Sequence, residues 1–345
     1  MTTTIAGAEE SVREAANRRL DTLTKPLGAL GRLEPLAAQL CAIQRTLSPA
    51  ISQPVSVVFA ADHGVADRGV SAYPKAVTAQ MVKNFLAGGA AINVLSRLEQ
   101  MEFWLVDAGV DGDCGPHPRL IEAKVRRGTR DLALEPAMSL KECGEALFRG
   151  REVIARVVPL GGNTVVLGEM GIGNTASAAL LMHGLTGLPL AECVGRGTGL
   201  DDAGLRRKLE ILEGALARRS PPREPIELLA EFGGFEIAML VGAILGAAAS
   251  RHVVLVDGFT VTVAAAIAAR MEPHALDYCI FGHCSSERAH RALLAHLNVA
   301  PLLDLGMRLG EGSGAALALS IVRAAVALFE QMATFEGAGV SEKIA

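Results

Sequence analysis

The chain has 345 residues, of which 50% are hydrophobic and 4% aromatic, and its formal net charge is −4. A chain of this length and apolar content can bury a large core, in one big domain or two modest ones. A nucleic-acid binder needs a basic face and stacking aromatic side chains, so the acidic balance and the scarcity of aromatics argue against nucleic acid as a partner. The six cysteines form no CxxC pair and no zinc-type spacing, which indicates buried thiols in a reducing cytoplasm.

The sequence shows no pattern typical of secretion or membrane insertion. Residues 1–4 lead directly into a charged helical pattern instead of a signal peptide. The longest apolar run, residues 237–249, ends at Arg251 and is too short to cross a bilayer. We therefore expect a cytoplasmic protein with no membrane partner.

The first 46 residues predict two helices with no strand between them, over residues 8–21 and from the turn at residues 24–31 to about residue 46. From residue 54 onward, short apolar runs alternate with helical patterns. The predicted strands are residues 55–60, 103–106, 164–167, 252–256, 278–281 and 301–303, with residues 125–129 either an edge strand or a solvated excursion. This rhythm predicts an α/β fold with a doubly wound, mainly parallel sheet.

Polar residues follow several of the predicted strands, where the ligand crevice of a parallel sheet lies. Asp62 and His63 come directly after the first strand and could either orient a substrate or anchor the loop. Asp257 follows the strand at 252–256 as a single acidic residue. Type I phosphoribosyltransferases carry two adjacent acidic residues there for magnesium, so this chain predicts a reaction without a metal or cofactor.

Residues 168–176 read as a strand end, a glycine-rich turn and the start of a helix. Such a turn exposes backbone N–H groups that can bind phosphate, which makes Gly171, Gly173, Asn174 and Thr175 candidate ligand contacts. The spacing Gly171-x-Gly173-x-x-Ala176 also fits the dinucleotide fingerprint. That fingerprint requires an acidic residue at the end of a strand about twenty residues later, and the sequence around Pro189 does not provide one.

Two further features could contact an anion. Lys208 lies on a predicted helix over residues 201–217, after a second glycine-rich loop at 195–199, and could reach a phosphate or simply be solvated. Ser285 and Ser286 follow the strand at 278–281 and could bind an anion or cap the next helix.

Glu311 stands between Gly310 and Gly312 in a loop that precedes the helix predicted over residues 315–334. Glycines let the backbone take positive φ and let a ligand come close, and such loops carry chemistry in α/β enzymes. Glu311 is therefore a candidate catalytic carboxylate. The alternative is an acidic residue favoured by the dipole of the following helix.

Taken together, these residues resemble the nicotinate-nucleotide:dimethylbenzimidazole phosphoribosyltransferase family over nearly the whole chain. The resemblance is carried by six blocks in order, which are TKPLGALG at 24–31, ADHGV at 61–65, GEMGIGNT at 168–175, GRGTG at 195–199, Gly282-His283 with Ser286-Glu287, and LGEGSG at 309–314. It implies a Rossmann-like large domain at residues 31–305 and a small helical domain formed by residues 1–30 and 306–345, assembled as a homodimer.

The resemblance also implies the activity, which is transfer of phosphoribose from nicotinate mononucleotide to dimethylbenzimidazole in cobalamin assembly. It places the catalytic base on Glu311 and a second active-site carboxylate on Glu169. Phosphate contacts fall on Gly171, Lys208 and Ser286. The pocket for the acceptor base falls on four residues, Tyr73, Gln80, Met81 and Leu309.

Two other functions remain open from the sequence. One is an NAD-dependent oxidoreductase built on the glycine fingerprint, and the other is a nucleotide-binding regulatory protein of the same fold. The acceptor could also be adenine or a phenol instead of dimethylbenzimidazole.

Overall fold

The computed structural model describes residues 4–341, so residues 1–3 and 342–345 lie outside the described part of the chain. Six parallel strands form one sheet in the order β3-β2-β1-β4-β5-β6. The strands are β1 (Val55–Ala61), β2 (Glu102–Gly109), β3 (Leu120–Glu122), β4 (Thr164–Met170), β5 (Val253–Val256) and β6 (Cys279–Phe281). The predicted doubly wound α/β fold is confirmed.

The strand order reverses between the neighbouring strands β1 and β4, whose register pairs Phe59 with Glu169. At such a switch point the connections leave in opposite directions and open a crevice at the carboxyl ends of the strands. This geometry places the turn that follows β4 at the centre of the ligand-binding edge.

Helices cover both faces of the sheet. They are α1 (Glu10–Thr22), α2 (Leu33–Gln44), α3 (Val77–Leu86), α4 (Ala91–Leu98), α5 (Leu140–Val157), α6 (Asn174–Thr186), α7 (Leu190–Cys193), α8 (Asp202–Arg218), α9 (Pro225–Phe232), α10 (Phe235–Ala249), α11 (Phe259–Met271), α12 (Arg288–His296), α13 (Ser313–Gln331) and α14 (Phe335–Ala338).

The small residues of the helices allow very close packing. A Cβ on Gly150 of α5 would lie 2.0 Å from the carbonyl oxygen of Met239, and one on Gly242 of α10 would lie 2.0 Å from that of Leu147. The backbones of α5 and α10 therefore touch at two reciprocal points, and α10 is buried almost throughout its length against the sheet. This contact fixes a rigid base beneath β1 and β4.

The two ends of the chain meet. Thr24 donates a backbone hydrogen bond of 2.9 Å to Ala333, and Leu23 forms an antiparallel bridge with Thr334. Helix α2 packs against both α1 and α13, and α13 also contacts β4 and β5. The helical grouping of both chain ends is thus present, whereas domain boundaries at residues 30 and 305 stay a prediction.

Helix α13 is long and apolar enough to cross a membrane by length and composition, and half of its most apolar window is buried inside the protein. Its buried face includes Ala315, Leu319, Val322 and Phe329. Core helices of soluble proteins meet the same two criteria, so this feature does not identify a membrane span.

One predicted strand was wrong, and of the two alternatives for residues 125–129 the excursion without a strand is the one that holds. Residues 301–303 form only a bridge between Leu303 and His283, because Pro301 has no N–H to donate and the contact ends after Leu303. The edge strand is Leu120–Glu122 instead of residues 125–129, since the chain turns at Gly128, whose φ is +66°.

Candidate active site

A cleft lies at the carboxyl ends of β4, β5 and β6. Its walls come from the β4–α6 turn, the loop at residues 195–199, the start of α11, the β6–α12 loop and residues 308–310, and it encloses about 100 Å³. A wider hollow of about 720 Å³, lined by Lys25, Leu27 and Phe335 among others, contains none of the residues predicted for the site. The titratable groups identify the smaller cleft as the candidate active site.

The loop that carries Glu311 lies directly on β4. A Cβ on Gly168 would come within 2.3 Å of the backbone carbonyl carbon of Glu311, so only glycine permits the crossing. One residue after Gly168 and one residue before Glu311, a Cβ on Gly310 would lie 3.0 Å from Oε1 of Glu169. Two segments far apart in sequence thus bring Glu169 beside the loop of Glu311, and Glu169 lines the cleft whereas Glu311 lies directly behind its wall residue Gly310.

The Glu311 side chain is only 5% exposed, and its backbone adopts a left-handed φ of +64°. Its Oε2 accepts a hydrogen bond of 3.4 Å from the backbone N–H of Ile92, at the N-terminus of α4. Burial raises the pKa of the Glu311 carboxyl above its usual value, the Ile92 amide opposes this, and the nearby Asp257 raises it further. The carboxylate therefore contacts the start of α4, not the start of the helix that follows it in sequence.

Asp257 holds this loop in place. Its Oδ1 accepts hydrogen bonds from Gly314 N at 2.8 Å and Ala315 N at 3.0 Å, and its Oδ2 accepts one from Gly312 N at 3.2 Å. Burial raises the pKa of the Asp257 carboxyl, while the neighbouring His283 and these amides lower it. The single acidic residue after β5 thus binds the first turn of α13, and its oxygens are engaged within the protein.

Glu169 is half-buried at the end of β4. The side-chain amide of Asn174 donates a hydrogen bond to its Oε2. Burial raises the pKa of Glu169 to about 8, with further contributions from Glu236 and Asp257 that outweigh the Asn174 hydrogen bond. The surroundings of Glu169 therefore favour the protonated form of its carboxyl group more than water does.

The turn from Gly171 to Thr175 forms the predicted anion cradle. Gly171 lies against the carbonyl oxygen of Ala61, 2.4 Å from where its Cβ would be, and Gly173 has a φ of +97°. No side chain of the described residues caps the N-terminus of α6. The N–H groups of Asn174 and Ala176 already donate to the carbonyl oxygens of Gly171 and Gly173, at 3.1 and 2.9 Å, so only part of this helix start is open to a ligand. Sequence analysis predicted both this turn and its place in the fold.

Lys208 is completely buried. Its Nζ donates hydrogen bonds of 2.8 Å to Oγ1 of Thr175 and 3.2 Å to the carbonyl oxygen of Gly195. Burial lowers the pKa of Lys208, the nearby Glu287 partly offsets this, and the resulting pKa is about 8. The alternative of a solvated lysine is therefore wrong. Lys208 instead stabilises the glycine turn through its hydrogen bond to Thr175.

Ser286 lies apart from the two carboxylates. It is exposed in an adjoining hollow that shares Glu287 and Arg308 with the cleft, and its N–H bonds to the carbonyl of Met307 at 2.9 Å. The capping alternative does not hold, because within the described chain no side chain caps α12. Ser285 instead accepts a hydrogen bond from Glu287 N at 3.2 Å.

The predicted acceptor-pocket residues are largely open to solvent, and only one of the four lines the cleft. Tyr73 is 53% exposed, Leu309 is 58% exposed, Gln80 is exposed and Met81 is half-buried. Leu309 belongs to the cleft wall, whereas the other three lie on α3 or the loop before it. The structure therefore brings together the predicted phosphate contacts more closely than the predicted acceptor contacts.

Asp62 and His63 anchor their loop. His63 Nε2 lies 2.5 Å from Glu236 Oε1 and its Nδ1 lies 3.0 Å from Ser177 Oγ, all fully buried. Asp62 Oδ2 accepts a hydrogen bond of 2.7 Å from Asp111 N. Of the two alternatives, the structure supports loop anchoring. The role of Glu236 was missed, although a single carboxylate in the apolar α10 was a signal for it.

The dinucleotide alternative loses its structural basis. After β4 and α6, the chain forms four more helices before β5 begins at Val253. The position where a Rossmann site needs an acidic strand end is occupied by the short helix α7. The glycine turn therefore fits a phosphate without the rest of a dinucleotide site.

Comparisons with known proteins agree with this geometry. A family model described as Phosphoribosyltransferase matches residues 5–340. The nicotinate-nucleotide–dimethylbenzimidazole phosphoribosyltransferase of Cupriavidus taiwanensis is 56% identical over 333 residues, covering 96% of each chain. That of Dechloromonas aromatica is 53% identical over 338 residues, covering 97% of each chain.

A solved structure shares the fold as well as the sequence. The crystal structure of CobT from Thermus thermophilus superposes with a TM-score of 0.93 at 46% identity, covering 96% of this chain and 100% of its own. The chain belongs to the nicotinate-nucleotide–dimethylbenzimidazole phosphoribosyltransferase family.

Proposed function

We propose that this enzyme transfers phosphoribose from nicotinate mononucleotide to 5,6-dimethylbenzimidazole, giving α-ribazole 5′-phosphate and nicotinate. The observation that carries the proposal is the crossing of β4 by the Glu311 loop, which sets Glu169 and Glu311 beside an anion cradle. The names of the relatives support the same substrates.

The chemistry fits these groups. The bond between ribose C1′ and the nicotinate ring nitrogen breaks, and its electron pair neutralises the pyridinium, so the leaving group needs no general acid. One acceptor nitrogen forms the new bond to C1′ on the opposite face, and the proton on the other nitrogen passes to Glu311. A carboxylate with a raised pKa accepts a proton better, and such a base typically contributes about 10²–10⁴-fold in rate.

Glu169 acts at the ribose in this proposal. With a pKa raised to about 8, its carboxyl group can donate a hydrogen bond to a ribose oxygen of the bound donor without transferring the proton. As positive charge develops on the ribose, the ionised form of Glu169 becomes favoured, because opposite charge lowers a carboxyl pKa. Its hydrogen bond from Asn174 holds it in place for either role.

The phosphate binds the cradle at the start of α6 in this proposal. The amides around Gly171 and Gly173, together with Asn174 and Thr175, supply the dipoles, and Lys208 supplies a positive charge through its contact with Thr175. Ser286 reaches the same phosphate from the adjoining hollow. The acceptor ring contacts Tyr73, Gln80, Met81 and Leu309 on the other flank.

We further propose that the enzyme works in the cytoplasm as a homodimer and uses no metal ion. The cysteine pattern supports the compartment, and the oxygens of Asp257 are already engaged by backbone amides.

The test uses the Glu311→Gln variant. With nicotinate mononucleotide and dimethylbenzimidazole, chromatography should detect α-ribazole 5′-phosphate from the native enzyme, and kcat of the variant should fall by about 10²–10⁴-fold. Binding of both substrates should be kept, because glutamine preserves the shape. Glu192→Gln, on an exposed part of α7, is the matched control. A near-normal kcat for Glu311→Gln would exclude Glu311 as the base.

A further inference from the structure

The sheet order separates the cleft into three parts. Glu169 lies at the end of the central strand β4, and α3, which carries Gln80 and Met81, follows β1 on one side. On the other side, β5 and β6 lead into Gly258, Phe259, Thr260 and His283, which line the same cleft. The inference rests on the proposed function, in which the acceptor and the leaving ring occupy opposite faces of the ribose. With the acceptor on the β1 side, the leaving ring falls on the β5–β6 side.

The start of α11 provides one half of a binding site there. This helix of 13 residues begins after Gly258, and among the described residues no side chain caps it. The first amides of a helix have no partner within the helix and attract negative charge. Phe259 and Thr260, in the first turn, both belong to the cleft wall.

His283 provides the other half. The side chain is only 2% exposed, yet neither ring nitrogen has a hydrogen-bond partner in the described part of the chain. Nε2 would lie 3.4 Å from a Cβ on Gly258, so it faces the start of α11. It also lies 3.5 Å from Asp257 Oδ1, outside hydrogen-bond geometry. A buried polar ring without a partner is unfavourable unless a ligand completes it.

The neighbouring His290 shows what a purely structural histidine looks like in this region. Its Nδ1 accepts a hydrogen bond of 2.9 Å from Ser285 N, so its Nε2 carries the proton and donates to Thr262 Oγ1 at 2.9 Å. Burial lowers the pKa of His290 to about 3 and keeps it neutral. His283, whose ring is 6.2 Å away, has none of these contacts and faces the cleft instead.

We propose that His283 and the start of α11 bind the carboxylate of the leaving nicotinate ring, and that His283 makes the enzyme prefer a donor whose ring carries a carboxylate over one that carries a carboxamide. An N–H of the His283 ring and the helix amides are all donors. A carboxylate accepts from every one of them and gains from the helix dipole. A carboxamide has no charge, and its NH₂ group would face other donors.

Negative charge nearby does not prevent this binding. Asp257 is close to His283, but three amides at the start of α13 donate to its oxygens. Glu287 also lines the cleft, but its Oε2 packs against Gly195, on a different loop. The N–H donors of α11 and of His283 thus remain available to a ligand carboxylate beside Gly258 and Thr260.

The experiment compares two donors, nicotinate mononucleotide and nicotinamide mononucleotide, in the native enzyme and in His283→Gln. We expect the native enzyme to favour the first donor and the variant to lower the ratio of the two kcat/KM values at least fivefold, through KM of the nicotinate donor. Calorimetry of free nicotinate and free nicotinamide should show at least a fivefold loss for nicotinate only. His296→Gln, on the exposed end of α12, should leave both ratios unchanged.

A ratio that changes less than fivefold, or an equal loss for both donors, overturns the proposal. Because the His283 ring packs tightly on Gly314, circular dichroism checks the fold, and the smaller variant His283→Asn replaces His283→Gln under the same criterion if that variant does not fold. Absence of transfer from either donor in the native enzyme would contradict the proposed function, while the two binding constants would still decide the inference about His283.

Discussion

The donor side of the cleft, around Gly171, Thr175 and Lys208, is buried and hydrogen-bonded, whereas the acceptor side, around Tyr73 and Leu309, lies open to solvent. On the donor side, Gly171, Gly173, Asn174 and Thr175 belong to the turn between a central strand and a helix start, and the buried Lys208 of α8 supports that turn. On the acceptor side, the contacts lie on a loop and an exposed helix face. If the proposed contacts hold, the chain fixes the position of the phosphoribose and leaves the acceptor region adaptable.

This difference suits a group transfer in which one partner must be oriented at C1′ and the other only has to approach it. In the proposed reaction, preorganised dipoles and the buried Lys208 align the donor without rearrangement. An exposed apolar flank can accommodate flat rings of different shape, because apolar contact is not directional. Four variants test whether the two sides are as different as this comparison requires.

The largest effect is expected at the point where the Glu311 loop crosses β4, since this crossing supports both sides of the cleft. In Gly168→Ala, the new Cβ would lie 2.3 Å from the backbone of Glu311, so the crossing must shift. Overpacking of this kind costs about 1–3 kcal/mol of unfolding free energy, and a shift of about 1 Å in a catalytic group can reduce kcat about 10²-fold. Urea denaturation and turnover measure both.

Gly214→Ala is the control for that variant, since a Cβ at this exposed position of α8 meets nothing within 4 Å. It should raise the unfolding free energy by about 0.5–1 kcal/mol and leave kcat unchanged. Equal behaviour of the two variants would contradict the close crossing.

A smaller loss, restricted to the donor, is expected for Lys208→Met. Methionine fills the buried space but removes the charge, and hydrogen bonds to charged groups contribute about 1.5–3 kcal/mol, which corresponds to about 10–150-fold in kcat/KM for nicotinate mononucleotide. KM for dimethylbenzimidazole should not change. Lys141→Met, at an exposed position of α5, is the matched control. A comparable loss for both substrates would show that the two sides are not separable.

The pH profile sharpens the same comparison. Glu311 must be ionised to accept a proton, and its pKa is raised, so the acidic limb of kcat should lie above the ordinary glutamate value. The pKa of Lys208 is about 8, so its charge is lost above that pH and kcat/KM for the donor should fall there. Lys208→Arg stays charged and should move this basic limb upward by at least one pH unit. If the basic limb of the Lys208→Arg profile stays at about pH 8, the titrating group is Glu169, whose pKa is also about 8.

The smallest effect is expected for Tyr73→Ala. Because the side chain is 53% exposed, its removal should change KM for dimethylbenzimidazole by only about two- to threefold, as for other surface substitutions of up to about 0.5 kcal/mol. KM for the donor should stay the same. An effect of tenfold or more would mean that Tyr73 is enclosed in the working enzyme and that the acceptor side is not open.

Much of the fold could be predicted because it depends on local patterns. The apolar runs before Asp62, Gly168 and Asp257 are strands, and the glycine turn does begin α6, since buried parallel strands and helix starts leave clear signals. The prediction of a strand at residues 301–303 was wrong, because the run has only three residues and its first, Pro301, has no N–H to donate.

The site was less predictable, because its contacts join distant segments. Nothing local to Glu311 indicates that its carboxylate meets Ile92, or that its backbone lies on Gly168. The burial of Lys208 could not be read from a helix whose neighbouring residues, Arg206 and Arg207, are exposed. Such facts follow from the strand order, which a single sequence does not fix.

The left-handed backbone of Glu311 has a consequence for the evolution of this enzyme. A non-glycine residue at a φ of +64° is strained relative to glycine. Because burial raises its pKa, the folded state binds the proton more tightly than the unfolded state and loses stability as pH rises above the ordinary glutamate value. At neutral pH, glycine at position 311 would therefore relieve two separate sources of instability. The enzyme keeps a residue that is unfavourable for folding at the point where its proposed chemistry needs a base, as expected of a trade-off between stability and activity.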